Sequence, residues 1–285
     1  MIQDIFPSRL DNSYRDISAS DSDNGYMMIC DGGKLLADIC GEGLRFPRID
    51  EVKAEKTVYL FLLDDERFFL SLDENISETN SGFALYSIRD LRDKCSGKYL
   101  FAAFTAFHLA EWYRSNRFCG RCGGIMKCDD NERALVCTEC GGKVYPRINP
   151  AVIVGVVNGD KILITRYNRG YAHNALIAGF TEIGETLEQT VEREVMEEAG
   201  IKVKNIRYYK SQPWGMASDL LAGFFCEVDG DDTIKMDSSE LKYAQWLGRE
   251  EIELQPYEHS LTNEMMKKNR KYSSMDRVSV IKSMP

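Results

Sequence analysis

The 285-residue chain reads as an α+β protein in three parts: a β-rich N-terminal domain over 1–115, a short cysteine ribbon over 116–147, and a mixed strand-and-helix unit over 148–285. Three observations carry that reading. Short apolar runs broken by acidic turns fill the first hundred residues. Two Cys-x2-Cys pairs then follow a helical stretch. Strands resume at Ala151 and are interrupted by one strongly acidic helix.

The elements follow in order. YMMIC (26–30), VYLFLL (58–63) and RFFLSL (67–72) are strand-like, and Asp64-Asp65-Glu66 is the turn between the last two. KYLFAAFTAFHLAEWYRSNRF from Lys98 has helical periodicity, with Phe104, Phe107, Leu109 and Ala110 on one apolar stripe, and it ends at Cys119. VIVGVV (152–157) and ILITRY (162–167) flank Asn158-Gly159-Asp160, a hairpin signal because Asn-Gly supplies positive φ. LIAGF (176–180) is a short strand. Thr186 to Ala199 is a helix that Gly200 closes at its C′ position. IKVKNIRYY (201–209) and LLAGFFCEV (220–228) are further strands, and Ser260 to Tyr272 is a closing polar helix.

Composition narrows the class. Hydrophobic residues make up 44% and charged residues 28%, as in ordinary globular proteins, and the formal net charge of −9 argues against a basic nucleic-acid-binding surface. The first residues, MIQDIFPSRLDNSYRD, have neither a basic nor an apolar leader segment, and no apolar run reaches the length of a membrane span. Nine cysteines without export signals point to a reducing, cytoplasmic compartment.

Cys119-x2-Cys122 and Cys137-x2-Cys140 are two knuckles with neighbouring glycines, which let the chain turn so that its amides point at sulfur. Four thiolates suit a structural zinc with no open position. A disulfide pair or plain buried thiols are the competing readings, weakened by the lack of export signals and by the paired spacing. Cys128 reads as a spare thiol, and Cys30, Cys40, Cys95 and Cys226 as packing residues.

The most informative stretch is GFTEIGETLEQTVEREVMEEAGI, from Gly179 to Ile201. Glu194, Glu197 and Glu198 are spaced i, i+3, i+4, so their carboxylates share one side of a helix and repel. A solvated acidic face is the commoner fate of such a run. Here the fixed glycines and Arg193 favour a site for Mg²⁺ or Mn²⁺, with Glu194 and Glu198 one turn apart on the ion. One of the three glutamates then accepts the proton of an attacking water. Arg193 and Glu185 read as a structural pair, while Glu182, Glu188 and Glu192 are expected to be solvated.

The spacing Gly-x5-Glu-x7-Arg-Glu-Val-x-Glu-Glu-x-Gly-Ile resembles the Nudix hydrolase signature. FCGRCG (118–123), VYPRINP (144–150) and Ser211-Gln212-Pro213-Trp214 together resemble the NADH pyrophosphatases. The resemblance covers the chain from about Ala106 onward. It implies a Nudix mixed-sheet α-β-α sandwich and metal-dependent hydrolysis of the pyrophosphate of NADH or NAD⁺ to nicotinamide mononucleotide and AMP. It also allows removal of NAD caps from RNA. It implies metal binding by Glu194, Glu198 and the Ala178 carbonyl, with Glu240 a further ligand from a loop beyond the last strand. Phe180 and Tyr145 would stack on the nicotinamide, the tyrosine coming from the partner in a homodimer. Arg89, Glu132 and Thr262 would contact substrate, and the segment Gln212, Pro213, Trp214, Gly215, Met216, Ala217, Ser218, Asp219 would line the nucleotide pocket. Core packing is the competing reading for Phe180, Tyr145 and Trp214, and a plain surface acid for Glu240.

The sequence departs from that family at two places. Pro-Phe-Pro-x-Ser usually follows Ser-Gln-Pro-Trp, but Gly215-Met216-Ala217-Ser218-Asp219 stands here, and Thr262 replaces a usual alanine. Lost prolines loosen a loop, and Asp219 adds negative charge near an anionic ligand. ADP-ribose or another dinucleotide is therefore a second substrate reading. A non-catalytic zinc-ribbon module binding nucleotide or RNA is the reading from another class, and the complete glutamate set weighs against it.

Overall fold

The computed structural model describes residues 1–22, 24–73, 82–169 and 172–271. The chain divides into two compact units, one of residues 2–148 with 214–218, the other of Met1, residues 149–213 and 219–285. The ribbon segment belongs to the first.

In chain order the first unit has β1 (Leu10–Asp11), β2 (Gly25–Met28), β3 (Cys30–Asp31), β4 (Lys34–Cys40), β5 (Gly43–Arg45), β6 (Thr57–Leu63), β7 (Glu66–Ser71) and β8 (Ala84–Ser87). Two helices follow, α1 (Ile88–Lys94) and α2 (Lys98–Ser115). One sheet has the order β1-β6-β7-β2, and β4 pairs with β3, β5 and β8 in another. Alternation decides the burial. Met28, Leu60, Phe61, Phe68 and Leu70 share a core with α2, while Met27, Tyr59 and Phe69 pack with Ile29 and Leu36 in a second cluster. The expected single stripe on α2 is wrong. Leu100, Ala102, Ala103, Phe104, Ala106, Phe107, Leu109, Ala110, Trp112 and Tyr113 are all buried, so the helix is enclosed on most sides, and it stops at Ser115 rather than at Cys119. Among the cysteines read as packing residues, Cys95 and Cys226 are buried and Cys30 is partly so. Cys40 is exposed, a correction that follows from its place at the solvent end of β4. The ribbon is a small sheet of β9 (Met126–Cys128), β10 (Leu135–Cys137) and β11 (Lys143–Val144).

The second unit has β12 (Asn149–Asn158), β13 (Lys161–Tyr167), β14 (Ile177–Phe180), α3 (Leu187–Ala199), β15 (Val203–Trp214), β16 (Asp219–Val228), β17 (Leu241–Gly248) and α4 (Leu261–Lys271). The sheet runs β15-β16-β12-β13-β17, and β14 pairs with β12. It is mixed, because β12 and β16 are parallel while β12–β14 and β13–β17 are antiparallel. Val152, Val154 and Val156 on one face pack with Val191, Val195 and Ala199 of α3. Ile153 on the other face packs with Leu261, Met265 and Met266 of α4. That is the expected α-β-α sandwich. Each fully buried aliphatic side chain contributes roughly 1.5–3 kcal/mol. Thr186 caps α3 by accepting from the Gln189 amide, and Gly200 ends the helix at φ 70°, a left-handed conformation that glycine adopts without strain. Tyr272, expected at the end of the last helix, lies outside the described residues. Among the described residues no helix is long and apolar enough to cross a membrane.

Candidate metal centres and active site

The cysteine quartet closes. The four sulfurs of Cys119, Cys122, Cys137 and Cys140 all lie within 4.8 Å of one another. Sγ of Cys119 is 3.7 Å from that of Cys140, and Sγ of Cys122 is 3.4 Å from that of Cys137. A tetrahedron of Zn–S bonds of ~2.3 Å has edges of roughly 3.8 Å, so the donor set fits zinc. These spacings are also far from a disulfide bond of about 2.05 Å. Backbone amides of Arg121 and Cys122 pull the Cys119 thiol down to about 6, and those of Cys140 and Glu139 lower Cys137. The knuckle amides therefore stabilise thiolate, the ligand form, at Cys119 and Cys137, while the sulfurs of Cys137 and Cys140 push Cys122 up.

The glutamates are arranged otherwise. Gly179 on β14 faces α3 so closely that a Cβ there would sit 2.0 Å from the Glu194 carboxylate, so a side chain at 179 would push that carboxylate out of place. Glu198 is buried, 2% exposed, with the Tyr167 hydroxyl 3.4 Å from each of its oxygens. Burial first, then the charges of Glu194 and Glu240, push the Glu198 carboxyl up to about 8. Burial also raises Glu194. Glu197 points to solvent, 59% exposed, and accepts from Arg193 Nη1 at 3.0 Å. The three carboxylates thus start from one helix side but end in three environments. Two sit half-buried or buried against β14, and one lies outside.

Arg193 holds this arrangement. It grips both oxygens of Glu185, Nε at 2.7 Å and Nη2 at 3.0 Å, and donates to the Phe180 carbonyl at 2.8 Å and to Glu194 at 2.7 Å. The guanidinium holds Glu185 down at about 2. The expected brace of loop against helix is therefore present, and it also ties β14 to α3. Glu182, Glu188 and Glu192 are exposed, as expected.

Glu240 sits at the entry to β17, a strand the sequence did not reveal, rather than in a loop beyond the last strand. Its carbonyl accepts from the Asn168 amide at 2.8 Å, and its charge reaches Glu194 and Glu198. Tyr167 carried no sequence signal. It reaches Glu198 from β13, with its hydroxyl also 3.5 Å from the Ala178 carbonyl of β14. Glu194, Glu198 and Glu240 offer hard oxygen donors whose charges oppose one another, and burial leaves Glu194 and Glu198 reluctant to ionise even with Arg193 on Glu194; such a set suits a divalent ion such as Mg²⁺ or Mn²⁺. Glu194, Glu198, Glu240 and the Ala178 carbonyl are the groups that would hold it. Bound there, it neutralises phosphate oxygens and lowers the pKa of water.

The remaining candidates divide. Phe180 is 53% and Tyr145 54% exposed, so both present ring faces to solvent. Glu132 accepts from the Tyr145 hydroxyl at 3.0 Å and from Lys143 at 2.8 Å. Arg89 is exposed on α1 and Thr262 is partly buried on α4. Gln212 is fully buried, and its amide is spent on the His259 carbonyl and the Leu261 amide, where it caps α4. Trp214 packs against Phe104 with ring centroids 5.0 Å apart, and Gly215 lies too close to the Phe104 carbonyl for any Cβ. Met216 packs on the same core. Pro213 and Ala217 are exposed, and Ser218 is held at φ 61°. Asp219 is 6% exposed, its Oδ1 has no hydrogen-bond partner, and burial pushes its carboxyl up to about 6.

Comparison with known proteins agrees with this geometry. Residues 147–268 match the NUDIX domain, and residues 114–145 match the NADH pyrophosphatase zinc ribbon domain. The NAD-capped RNA hydrolase NudC of Enterobacter sp. (strain 638) is 44% identical over 172 residues, which is 60% of this chain and 66% of that protein. The protein of the same name from Salmonella typhi is 43% identical over the same shares. The match thus spans just under two thirds of these relatives. Among solved structures, a NUDIX hydrolase from Nitrosomonas europaea is 26% identical, with a TM-score of 0.43 over 48% of this chain and 80% of that one. With its braced glutamate helix and its closed four-cysteine ribbon, the chain carries a NUDIX domain and an NADH pyrophosphatase zinc ribbon domain.

Proposed function

We propose that the protein hydrolyses the pyrophosphate bond of NADH or NAD⁺, giving nicotinamide mononucleotide and AMP, and that it takes the same group from NAD-capped RNA 5′ ends. The observation that carries this reading is the seating of Glu194 and Glu198 against Ala178–Gly179, one residue from the exposed ring of Phe180. A dinucleotide whose pyrophosphate meets the glutamates would then have a ring within reach of an aromatic face. The relatives named NAD-capped RNA hydrolase support the substrate class. Arg193 keeps Glu194 oriented, Tyr167 positions Glu198, and one of the glutamates takes the proton from water.

The reading includes a homodimer in which the partner's copy of Tyr145 completes the stack, and a cytoplasmic setting that keeps nine thiols reduced. With −9 net charge, RNA is held by its capped end. Asp219 supports a second reading, hydrolysis of ADP-ribose or a related dinucleotide, because a buried carboxylate with one unpaired oxygen alters the segment that would read the nucleotide.

The test is turnover of NADH, NAD⁺, ADP-ribose, diadenosine polyphosphates and NAD-capped RNA with Mg²⁺ or Mn²⁺, products being separated chromatographically. The proposal expects cleavage of NADH or NAD⁺ that Glu198→Gln abolishes. Faster turnover of ADP-ribose selects the second reading, and no turnover of any substrate rejects both. Sedimentation of the native protein at the mass of one chain rejects the dimer.

A further inference from the structure

Asn269 of α4 is 1% exposed, yet neither its Nδ2 nor its Oδ1 has a hydrogen-bond partner among the described residues. An unpaired buried amide group is destabilising, so its retention asks for a ligand that meets it. Asn269 lines a cavity of about 490 Å³ at the end of the sheet where β12 turns into β13. That volume lies within the roughly 300–1,000 Å³ of small-molecule sites. The walls are apolar, formed by Phe225, Val228 and the ring of Tyr209. Three cations, Lys204, Arg207 and Lys268, stand at the lining against one carboxylate, Glu227. Lys204 is paired with Asp229 at 3.0 Å, and Glu227 accepts from Asn205. Arg207 makes no ion pair among the described residues.

This cavity is not the glutamate site. Val157 of its lining pairs with Glu227, six residues along β12 from Ala151, which pairs with Phe180. At ~3.3 Å per residue the two rows are roughly 20 Å apart. Nor does its one cysteine offer a reactive thiolate, since burial pushes the Cys226 thiol up to about 12. The site is built to bind.

We propose that the cavity binds a small planar heterocycle carrying an anionic group, of the nucleoside monophosphate class, with its ring edge on the Asn269 amide and its phosphate on Arg207. A side-chain amide offers a donor and an acceptor side by side, the complement of a base edge. Aromatic and aliphatic walls accept the ring faces, and a guanidinium matches phosphate geometry.

The test is isothermal titration of the full chain with uridine 5′-monophosphate and adenosine 5′-monophosphate, against inorganic phosphate as control. The expected result is saturable one-per-chain binding that survives Phe180→Ala and Glu198→Gln and weakens at least tenfold in both Asn269→Leu and Arg207→Ala. Asn269→Leu replaces an unpaired amide with an apolar group of similar size, and Arg207→Ala changes only a lining charge, so both fold, as a thermal melt checks. Inorganic phosphate should bind at least tenfold more weakly. Hydrogen exchange should slow on ligand addition in residues 203–209 and 225–228. Absence of saturable binding overturns the proposal. So does binding indifferent to both cavity variants, or phosphate binding as tight as the nucleotides. Binding that appears only when the chain is cut after Lys271 also overturns it, because the protein's own C-terminal residues would then be the occupant.

Discussion

The ribbon and the glutamate face are two ligand sets made by opposite means. In the ribbon four soft donors converge within 4.8 Å, and backbone amides already favour the charged form of Cys119 and Cys137. On α3 the hard donors spread over three environments, burial and mutual repulsion oppose their charge, and one arginine holds them in place. The difference separates structure from chemistry. A closed shell gains by saturating the ion, while an open, repelling set leaves coordination positions for water and phosphate.

Four changes should break or sharpen this contrast, the largest first. Cys137→Ser removes one sulfur from the closed shell. The expected outcome is loss of about one zinc per chain and of folded first unit, since structural zinc is worth roughly 10 kcal/mol or more; metal analysis and circular dichroism check it. Glu198→Gln should lower kcat for the cleaved dinucleotide by roughly 10²–10⁴ while leaving the zinc content unchanged. The same change should stabilise the cation-free protein. The folded carboxyl, at about 8, lies above its unfolded value of 4.5, so folding favours the protonated form. Stability is then fully present below pH 4.5 and falls as pH rises toward 8, and Glu198→Gln or added Mn²⁺ should flatten that fall in melts across pH.

Arg193→Lys is third. A point charge cannot grip Glu185 with two bonds while also reaching Phe180 and Glu194. A loss of about tenfold in kcat/KM is expected, with a drop of a few degrees in Tm. Asp219→Asn is smallest. Its folded carboxyl, at about 6, lies above the ordinary 3.8. The variant should melt higher than wild type above pH 6 and alike below pH 4. Asp219→Ser, tested on NADH and ADP-ribose, reads whether the carboxylate sets substrate preference.

Much of this was legible in the chain because it is local. The cap at Thr186, the turn at Gly200 and the two knuckles each need only residues a few positions apart. The sites hidden from the sequence depend on distant pairings. Tyr167 meets Glu198 only through the sheet, and β17 is half-exposed along its length, so its pattern shows neither clear alternation nor a buried run. Gln212 carries a family motif, yet its amide caps α4 some 47 residues on. Asn269 looks like any polar residue of a surface helix until the cavity behind it is seen. The short helix α1 does carry a local signal, the Ser87–Asp90 capping box.

The central claim is that the unclosed glutamate face is the divalent-cation site. Mn²⁺ titration followed by electron paramagnetic resonance tests it most directly, on wild type, Glu198→Gln and Glu188→Gln, all with zinc in the ribbon. The account predicts Mn²⁺ binding that weakens at least tenfold in Glu198→Gln and is unchanged in Glu188→Gln, whose carboxylate faces solvent. Equal Mn²⁺ affinity in all three proteins would contradict it.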